Sequence, residues 1–269
     1  MKYMSFNSSC TLTALANMLE LLKIDNVTDR ILAEKLMLPY IFRYKENQFC
    51  AGAMNQNAEI YNSYFNKKGY EFVEVELSKE ELWPYLKKHP ISMLGVKSVS
   101  GKHAVVFLKQ QEEELLFLNP HYENDKEKDI LCIKKEELNK FVENKIIVGS
   151  IQKGTSQQTK IDYQASLKAL DVYLREFDTF CCESRSRTAI FEKRDELFRC
   201  FAIDLIPMME ILKENTLLSL LYEFQQVIFK LIKIEDKNIP YNIVSKSLVE
   251  RIVEEYRRII MTKLKGENL

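Results

Sequence analysis

Apolar positions recur with helical spacing from the start of the chain. Leu12, Leu15, Ala16, Leu19 and Leu22 fall at i, i+3, i+4, i+7 and i+10, which predicts a helix over about 9–23. Ser8 and Ser9 precede it as candidate N-caps. A second helix is expected after Thr28 and Asp29, reaching about Met37, and a third over roughly 54–67, ending at Gly69. A fourth starts at Ser78, where Ser78 and Glu81 have capping-box spacing, and stops near Pro90. Short β-rich runs occupy 70–77, 91–96, 104–108, 115–118, 130–133 and 146–151, with 110–114 as a polar hairpin turn. Helices first, then a mostly antiparallel sheet, make residues 1–151 an α+β domain.

The texture changes near residue 150. The polar run 152–158 reads as a linker, and only helical patterns follow. Tyr163, Leu167, Leu170, Leu174 and Phe177 share a face, as do Ile190, Leu197, Phe201 and Leu205, before Pro207 breaks or kinks that helix. Leu217, Leu220, Leu221, Phe224, Ile228 and Leu231 form a third stripe, and Leu248, Ile252, Tyr256, Ile259 and Ile260 a fourth. Residues 160–269 are therefore expected to be an all-helical bundle whose stripes form a core rather than a cofactor site.

Composition narrows the functional classes. Lys+Arg and Asp+Glu both number 39, so no whole-chain attraction to nucleic acid or an anionic membrane is expected. The opening residues have no apolar core of a signal peptide, and residues such as Glu20 and Lys230 interrupt the apolar stretches before they reach membrane-spanning length. None of the six cysteines forms a CxxC pair, and none has zinc-ligand spacing with a histidine. Free thiols, a cytoplasmic location and no metal are the expectation. Phosphate-loop, HExxH and GxSxG motifs are missing.

Three residues carry the candidate chemistry. Cys10 follows the polar turn Phe6, Asn7, Ser8, Ser9 and opens the first helix, where the positive end of the dipole favours a thiolate. The unpaired backbone N–H groups there can also receive a developing oxyanion. His103 opens the strand at 104–108, and Asn119 ends the strand at 115–118, just before Pro120. Adjacent antiparallel strands bring the start of one beside the end of the next, so His103 and Asn119 should be neighbours. The Asn119 oxygen can then fix the imidazole tautomer. His121 lies past the proline in a loop, and His89 ends a helix. The charge run 123–129 reads as a solvated loop. Arg185, Arg187, Arg194 and Arg199 read as a solvated helical face whose functional use would be to dock an acidic carrier protein.

A Cys at a helix start, a His opening a strand and an Asn-Pro closing the next strand follow the chain order of papain-like folds. Residues 5–120 resemble the C39-like cysteine peptidases. They resemble still more the N-terminal domain of the butirosin biosynthesis protein H family. The matching pieces are Asn7 to Cys10 running into Ala14 to Met18; Leu32 to Met37 with Phe42 to Tyr44; Glu80 to Leu82 with Pro90 and Ile91; Lys102 to Phe107; and Phe117 to Pro120.

The resemblance implies acyl chemistry through a cysteine thioester: thiolate attack, a tetrahedral intermediate, then transfer to an amine or to water. It implies no cofactor. A phosphopantetheine-borne acyl group would enter as substrate on an acyl carrier protein, or a peptide would take its place. Alternatives are a peptidase or amidase, or a relative that binds without turnover. Two positions depart from the family pattern. A Gln six residues before the Cys, an oxyanion donor in that pattern, is Met4 here, with Asn7 as the candidate substitute. The usual Asp-Pro is Asn119-Pro120.

Overall fold

A computed structural model describes residues 1–98, 101–154, 161–183, 191–233 and 245–267. The chain divides into two compact units. One holds Met1–Leu36 and Gln56–Lys160, the other Met37–Asn55 and Ile161–Leu269. The second unit thus takes in a segment, 37–55, that the sequence pattern placed within the first domain.

The first unit opens with helices α1 (Cys10–Leu21) and α2 (Asp29–Lys35), followed by α3 (Ala58–Phe65). Thr28 caps α2 by accepting the Ile31 N–H at 3.3 Å. Asn57 caps α3 by accepting the Ile60 N–H at 2.8 Å, so this helix begins later than its apolar pattern suggests. Strand β3 (Tyr70–Leu77) leads into α4 (Lys79–Lys88). The expected capping box at α4 is complete: Ser78 Oγ accepts from Glu81 N, and Glu81 Oε2 accepts from Ser78 N at 2.9 Å.

Strands β4 (Ser92–Ser98), β5 (Gly101–Gln111), β6 (Glu114–Leu118) and β7 (Ile130–Lys134) follow, then α5 (Leu138–Phe141) and β8 (Ile146–Lys153). They join β3 in a six-stranded antiparallel sheet ordered β3-β8-β4-β5-β6-β7. The strand β8 runs to Lys153, two residues into the expected linker, because Gln152 and Lys153 pair with Glu71 and Tyr70. Residues 155–158 of that linker lie outside the described residues. Val105, Phe107, Leu115, Phe117, Leu94 and Val148 form a core with Leu82 and Leu86 of α4. The chain is mixed helix and sheet, with a helical C-terminal part.

The second unit has a feature that the apolar pattern did not show: the hairpin of β1 (Phe42–Lys45) and β2 (Gln48–Ala51). Its turn residues Glu46 and Asn47 adopt φ of 53° and 60° without glycine, so the usual hairpin signal is missing. The hairpin's Phe42 is buried against Phe49, Tyr173, Phe201 and Tyr256. Around it lie α6 (Tyr163–Glu183), wide π-helical turns at Arg194–Phe198 and Cys200–Asp204, α7 (Ile206–Leu212), α8 (Asn215–Lys233) and α9 (Lys246–Glu267). Pro207 sits in the first turn of α7, where its missing N–H costs nothing.

The basic stretch is not a uniform solvated face. Arg199 turns inward to the buried carboxylate of Asp204, with Nε to Oδ2 at 3.2 Å. Burial, opposed by Arg199, raises the Asp204 carboxyl to about 7. Arg194 pairs with Asp195 at 3.3 Å, while Arg185 and Arg187 lie outside the described residues. No described helix is long and apolar enough to cross a membrane.

Gly149 offers a test of the packing in the first unit. A Cβ added there would come within 2.2 Å of the Phe72 ring, which is wedged against Tyr61 and Phe65 with centroids at 5.1 and 6.1 Å. Gly149→Ala should cost about 1–3 kcal/mol by overpacking, and adding Phe72→Leu should recover part of it. Urea unfolding followed through hydrogen exchange of β8 amides measures this. An unchanged midpoint in Gly149→Ala would refute the close approach.

Candidate active site

Cys10 is delivered by a stitched N-terminal segment. Lys2 N donates to Asn17 Oδ1 at 2.7 Å, Met4 N to His121 O at 2.8 Å, and Ser5 N to Asp29 Oδ2 at 2.8 Å. Asp29 is fully buried and also accepts from Ser5 Oγ at 2.6 Å, Thr13 Oγ1 at 3.3 Å and Arg30 N at 2.8 Å. A tight turn follows, with Ser8 at φ 63°. Ser9 holds the N-cap position, but its hydroxyl donates to Phe6 O at 2.8 Å instead of capping α1. The expected serine cap is thus not made, because closing the turn onto Phe6 takes that hydroxyl. The electropositive start of α1 is left facing Cys10 without a serine cap.

His103 stands near the start of β5, and Asn119 follows the end of β6. His103 Nε2 and Asn119 Oδ1 are 2.9 Å apart. The amide orientation follows from its other partners: Asn119 Nδ2 donates to Glu127 Oε2 and Lys128 O, both at 3.0 Å, and both are acceptors. Oδ1 therefore accepts, and Nε2 carries its proton. That leaves Nδ1 to face the thiol. The His103 ring, the Ala104 N–H and the Thr11 hydroxyl lie close enough to the Cys10 thiol to stabilise its thiolate.

Electrostatics follow from these contacts. Burial pushes the Cys10 thiol up, but the His103 and Ala104 bonds, the imidazolium charge and Thr11 together hold it below the ordinary 9.0. Burial pushes His103 down, while the contact with Cys10, its charge, Asn119 and Glu127 lift it above the ordinary 6.5. Both directions favour a thiolate–imidazolium pair. Cys50 and Cys200 go the opposite way: burial, with Asp204 nearby, raises both.

The three residues expected to act together are thus brought together. The oxyanion candidate Asn7 is exposed in the turn before Cys10, and its Oδ1 accepts the Ser8 N–H at 3.1 Å. Met4, six residues before Cys10, is half-buried and offers no side-chain donor. His121 is committed elsewhere: Nδ1 to Tyr122 O at 2.7 Å and Nε2 to Asp129 Oδ1 at 3.0 Å. His89 ends α4 and stacks on Tyr85 at 4.4 Å.

The 123–129 run is not merely solvated. Glu127 and Lys128 hold the Asn119 side chain, and Asp129 O accepts the Asn119 N–H at 2.9 Å. Only the closeness of this run to Asn119 in the chain hinted at that. Among the described residues, no cluster of three or more His, Cys, Asp or Glu could hold a metal. No model of a known protein family matches the chain, and no curated protein matches it.

These directions predict the reactivity of Cys10. Its alkylation by iodoacetamide should have a pH midpoint below 9.0, and at neutral pH Cys10 should react ahead of Cys50 and Cys200. His103→Ala removes two of the influences that lower the thiol and leaves burial opposed only by the rest. The midpoint should rise, and labelling at pH 7 should slow about tenfold or more. Site-resolved mass spectrometry across a pH series checks this. Equal rates for wild type and His103→Ala would disprove the pairing.

Proposed function

We propose that the chain is a papain-like, cysteine-dependent acyl-transfer enzyme in which Cys10 is the nucleophile, His103 the general base and acid, and Asn119 the group that orients the imidazole. The observation that carries this reading is the bond from His103 Nε2 to Asn119 Oδ1, with Cys10 and His103 near enough for each to favour the other's charged form. In it, the thiolate attacks a thioester or amide carbonyl. The oxyanion is held at the start of α1, where backbone N–H groups point outward. Imidazolium then protonates the leaving group, and the acyl-cysteine is discharged to an amine or to water.

A carrier-protein thioester is the preferred donor, with a phosphopantetheine-borne acyl group as substrate. The resemblance to the butirosin protein H family and the helical unit attached to the site-bearing unit support this over a peptidase. Met4 in place of an oxyanion glutamine supports the alternative of a binding relative with little turnover, since loss of one such donor costs about 10²–10³ in rate.

The test is acyl loading. Incubation with a panel of acyl-pantetheine thioesters should add one acyl mass to the peptide containing Cys10. The adduct should discharge faster to an amine than to water, because a shaped site orients the acceptor. Cys10→Ser should abolish thioester loading, and Asn119→Ala should weaken it less. Cleavage of double-glycine peptides without any adduct would favour the peptidase. Neither activity would leave a binding protein.

A further inference from the structure

The two edges of the six-stranded sheet are treated differently. At β3 the Asn62 side chain closes the edge as a short strand would: its Nδ2 donates to Phe72 O at 3.0 Å, and its Oδ1 accepts the Phe72 N–H at 2.6 Å. The opposite edge is β7. Its ladder with β6 decides which backbone groups stay open. Asn119 N donates to Asp129 O at 2.9 Å, and Lys135 N to Glu113 O at 3.0 Å, one residue beyond each end of β7. Bonded pairs alternate along an antiparallel strand, so Asp129, Leu131, Ile133 and Lys135 bond to β6. The N–H groups of Ile130, Cys132 and Lys134 point away from β6, and no described residue accepts from them. Cys132 and Lys134 are exposed, and Ile130 is half-buried. Such a row is a template for another strand.

Charge says which strand fits. A lysine on an edge ordinarily turns copies away, because like charges meet. Here the signs differ between the ends: Lys128 and Asp129 precede β7, and Lys134, Lys135, Glu136 and Glu137 close it. An antiparallel second copy, related by a twofold axis through Cys132, sets Ile130 opposite Lys134 and Cys132 opposite itself, so open residues meet open residues. The same register sets Asp129 opposite Lys135 at both ends. A shift of one residue loses the backbone match. A shift of two sets Asp129 opposite Glu137, or Lys128 opposite Lys134, and like charges face each other.

The paired groups can accept this partner. Asp129 is half-exposed; its Oδ1 meets His121, and its Oδ2 has only the Tyr3 hydroxyl at 3.5 Å. Lys135 is exposed, with its ammonium 5.0 Å from the centre of the Trp83 ring. A groove of about 460 Å³ lined by Glu113, Lys134, Lys135 and Glu136 opens at this end of β7, where the partner's end of opposite charge pattern enters. We propose that β7 is a self-association surface, on which a second copy of this chain pairs antiparallel about Cys132 and joins the two sheets into one. The contact is independent of the chemistry at Cys10. Two five-residue strands offer less contact than the ~1,200 Å² of a stable interface, so the pairing is reversible and depends on concentration.

The experiment is sedimentation velocity of the full chain at low salt, over a concentration series reaching about 1 mM, for wild type, Lys135→Glu and Lys135→Arg. Wild type should pass from monomer to dimer along the series. Lys135→Glu turns both attractive end pairs repulsive and should weaken the dimer about five- to thirtyfold. Lys135→Arg keeps the charge and should match wild type. Diamide oxidation of wild type reads the register separately. Residues opposite each other in a bonded pair lie about 5.5 Å apart at Cα, within reach of a disulfide. Diamide takes the two thiol hydrogens and is reduced to the hydrazine, and the bridge should join Cys132 to Cys132 ahead of any bridge at the exposed Cys182. A monomer at every concentration overturns the proposal. So does a dimer that Lys135→Glu leaves unchanged, one that Lys135→Arg weakens as much as Lys135→Glu, or one bridged at Cys182 instead. If Lys135→Glu does not fold, the position of the wild-type bridge still decides.

Discussion

Side chains alternate faces along a strand, so the register of β5 against β6 decides what His103 can reach. The pairing runs Gln111↔Glu114, Gln110↔Leu115 and Lys109↔Leu116, then shifts at Phe107↔Phe117 and Val106↔Leu118. One extra residue, Leu108, is accommodated in β5. Continued past Val106, the shifted register sets Asn119 opposite Val105 and diagonal to His103, all on one face. Without the bulge, Asn119 would stand opposite Val106, and its side chain would leave the face that carries His103. The 2.9 Å bond between His103 Nε2 and Asn119 Oδ1 therefore depends on a single inserted residue. The same face carries Phe107, Leu115 and Phe117 into the core, so slipping the register would also turn those side chains out.

Cys10 reaches this pair by a separate route. Met4 is tied to His121, two residues beyond Asn119, and Ser5 is tied to Asp29. The segment before Cys10 is thus held to the chain just beyond Asn119. A fully buried carboxylate such as Asp29 is tolerated because Ser5, Thr13 and Arg30 surround it with donors. Removing those donors would strand a buried charge, which costs more than an ordinary contact. Placement of Cys10 is therefore built from polar stitches, whereas placement of His103 and Asn119 is built from strand register and apolar packing.

Much of this was legible in the residues. Chain order, the helix opening at Cys10 and the proximity of His103 and Asn119 followed from periodicity and hairpin geometry. The capping box at Ser78 and Glu81 was explicit, and both halves formed. Other features left no local mark. The bulge at Leu108 sits at the end of an unbroken apolar run, where an extra residue does not disturb the pattern. The Phe42–Ala51 hairpin turns at Glu46 and Asn47 in left-handed conformations that usually call for glycine. Ser9 had the right type and position for a cap, but the tertiary turn claimed its hydroxyl. Glu127 and Asp129 looked like solvent-facing charges because their partners, Asn119 and His121, are set by the return of the chain into β7.

The same chain contains its own comparison for what activates a thiol. Cys200 is fully buried, and its thiol is pushed well above the ordinary range. Cys50 is half-buried and also raised, in both cases with the Asp204 carboxylate nearby. Burial pushes Cys10 in the same direction, yet its balance reverses. A nearby helix start does not by itself explain the reversal, because a dipole end contributes only about 0.3–1 kcal/mol at ordinary sites. The difference lies in the balance: an imidazole ring, a backbone N–H and a hydroxyl outweigh burial at Cys10, whereas burial and the Asp204 charge outweigh the backbone N–H groups at Cys200 and the Lys45 and Arg199 charges at Cys50. In the acyl transfer proposed above, the burial that raises the thiol also strengthens the donor contacts that lower it.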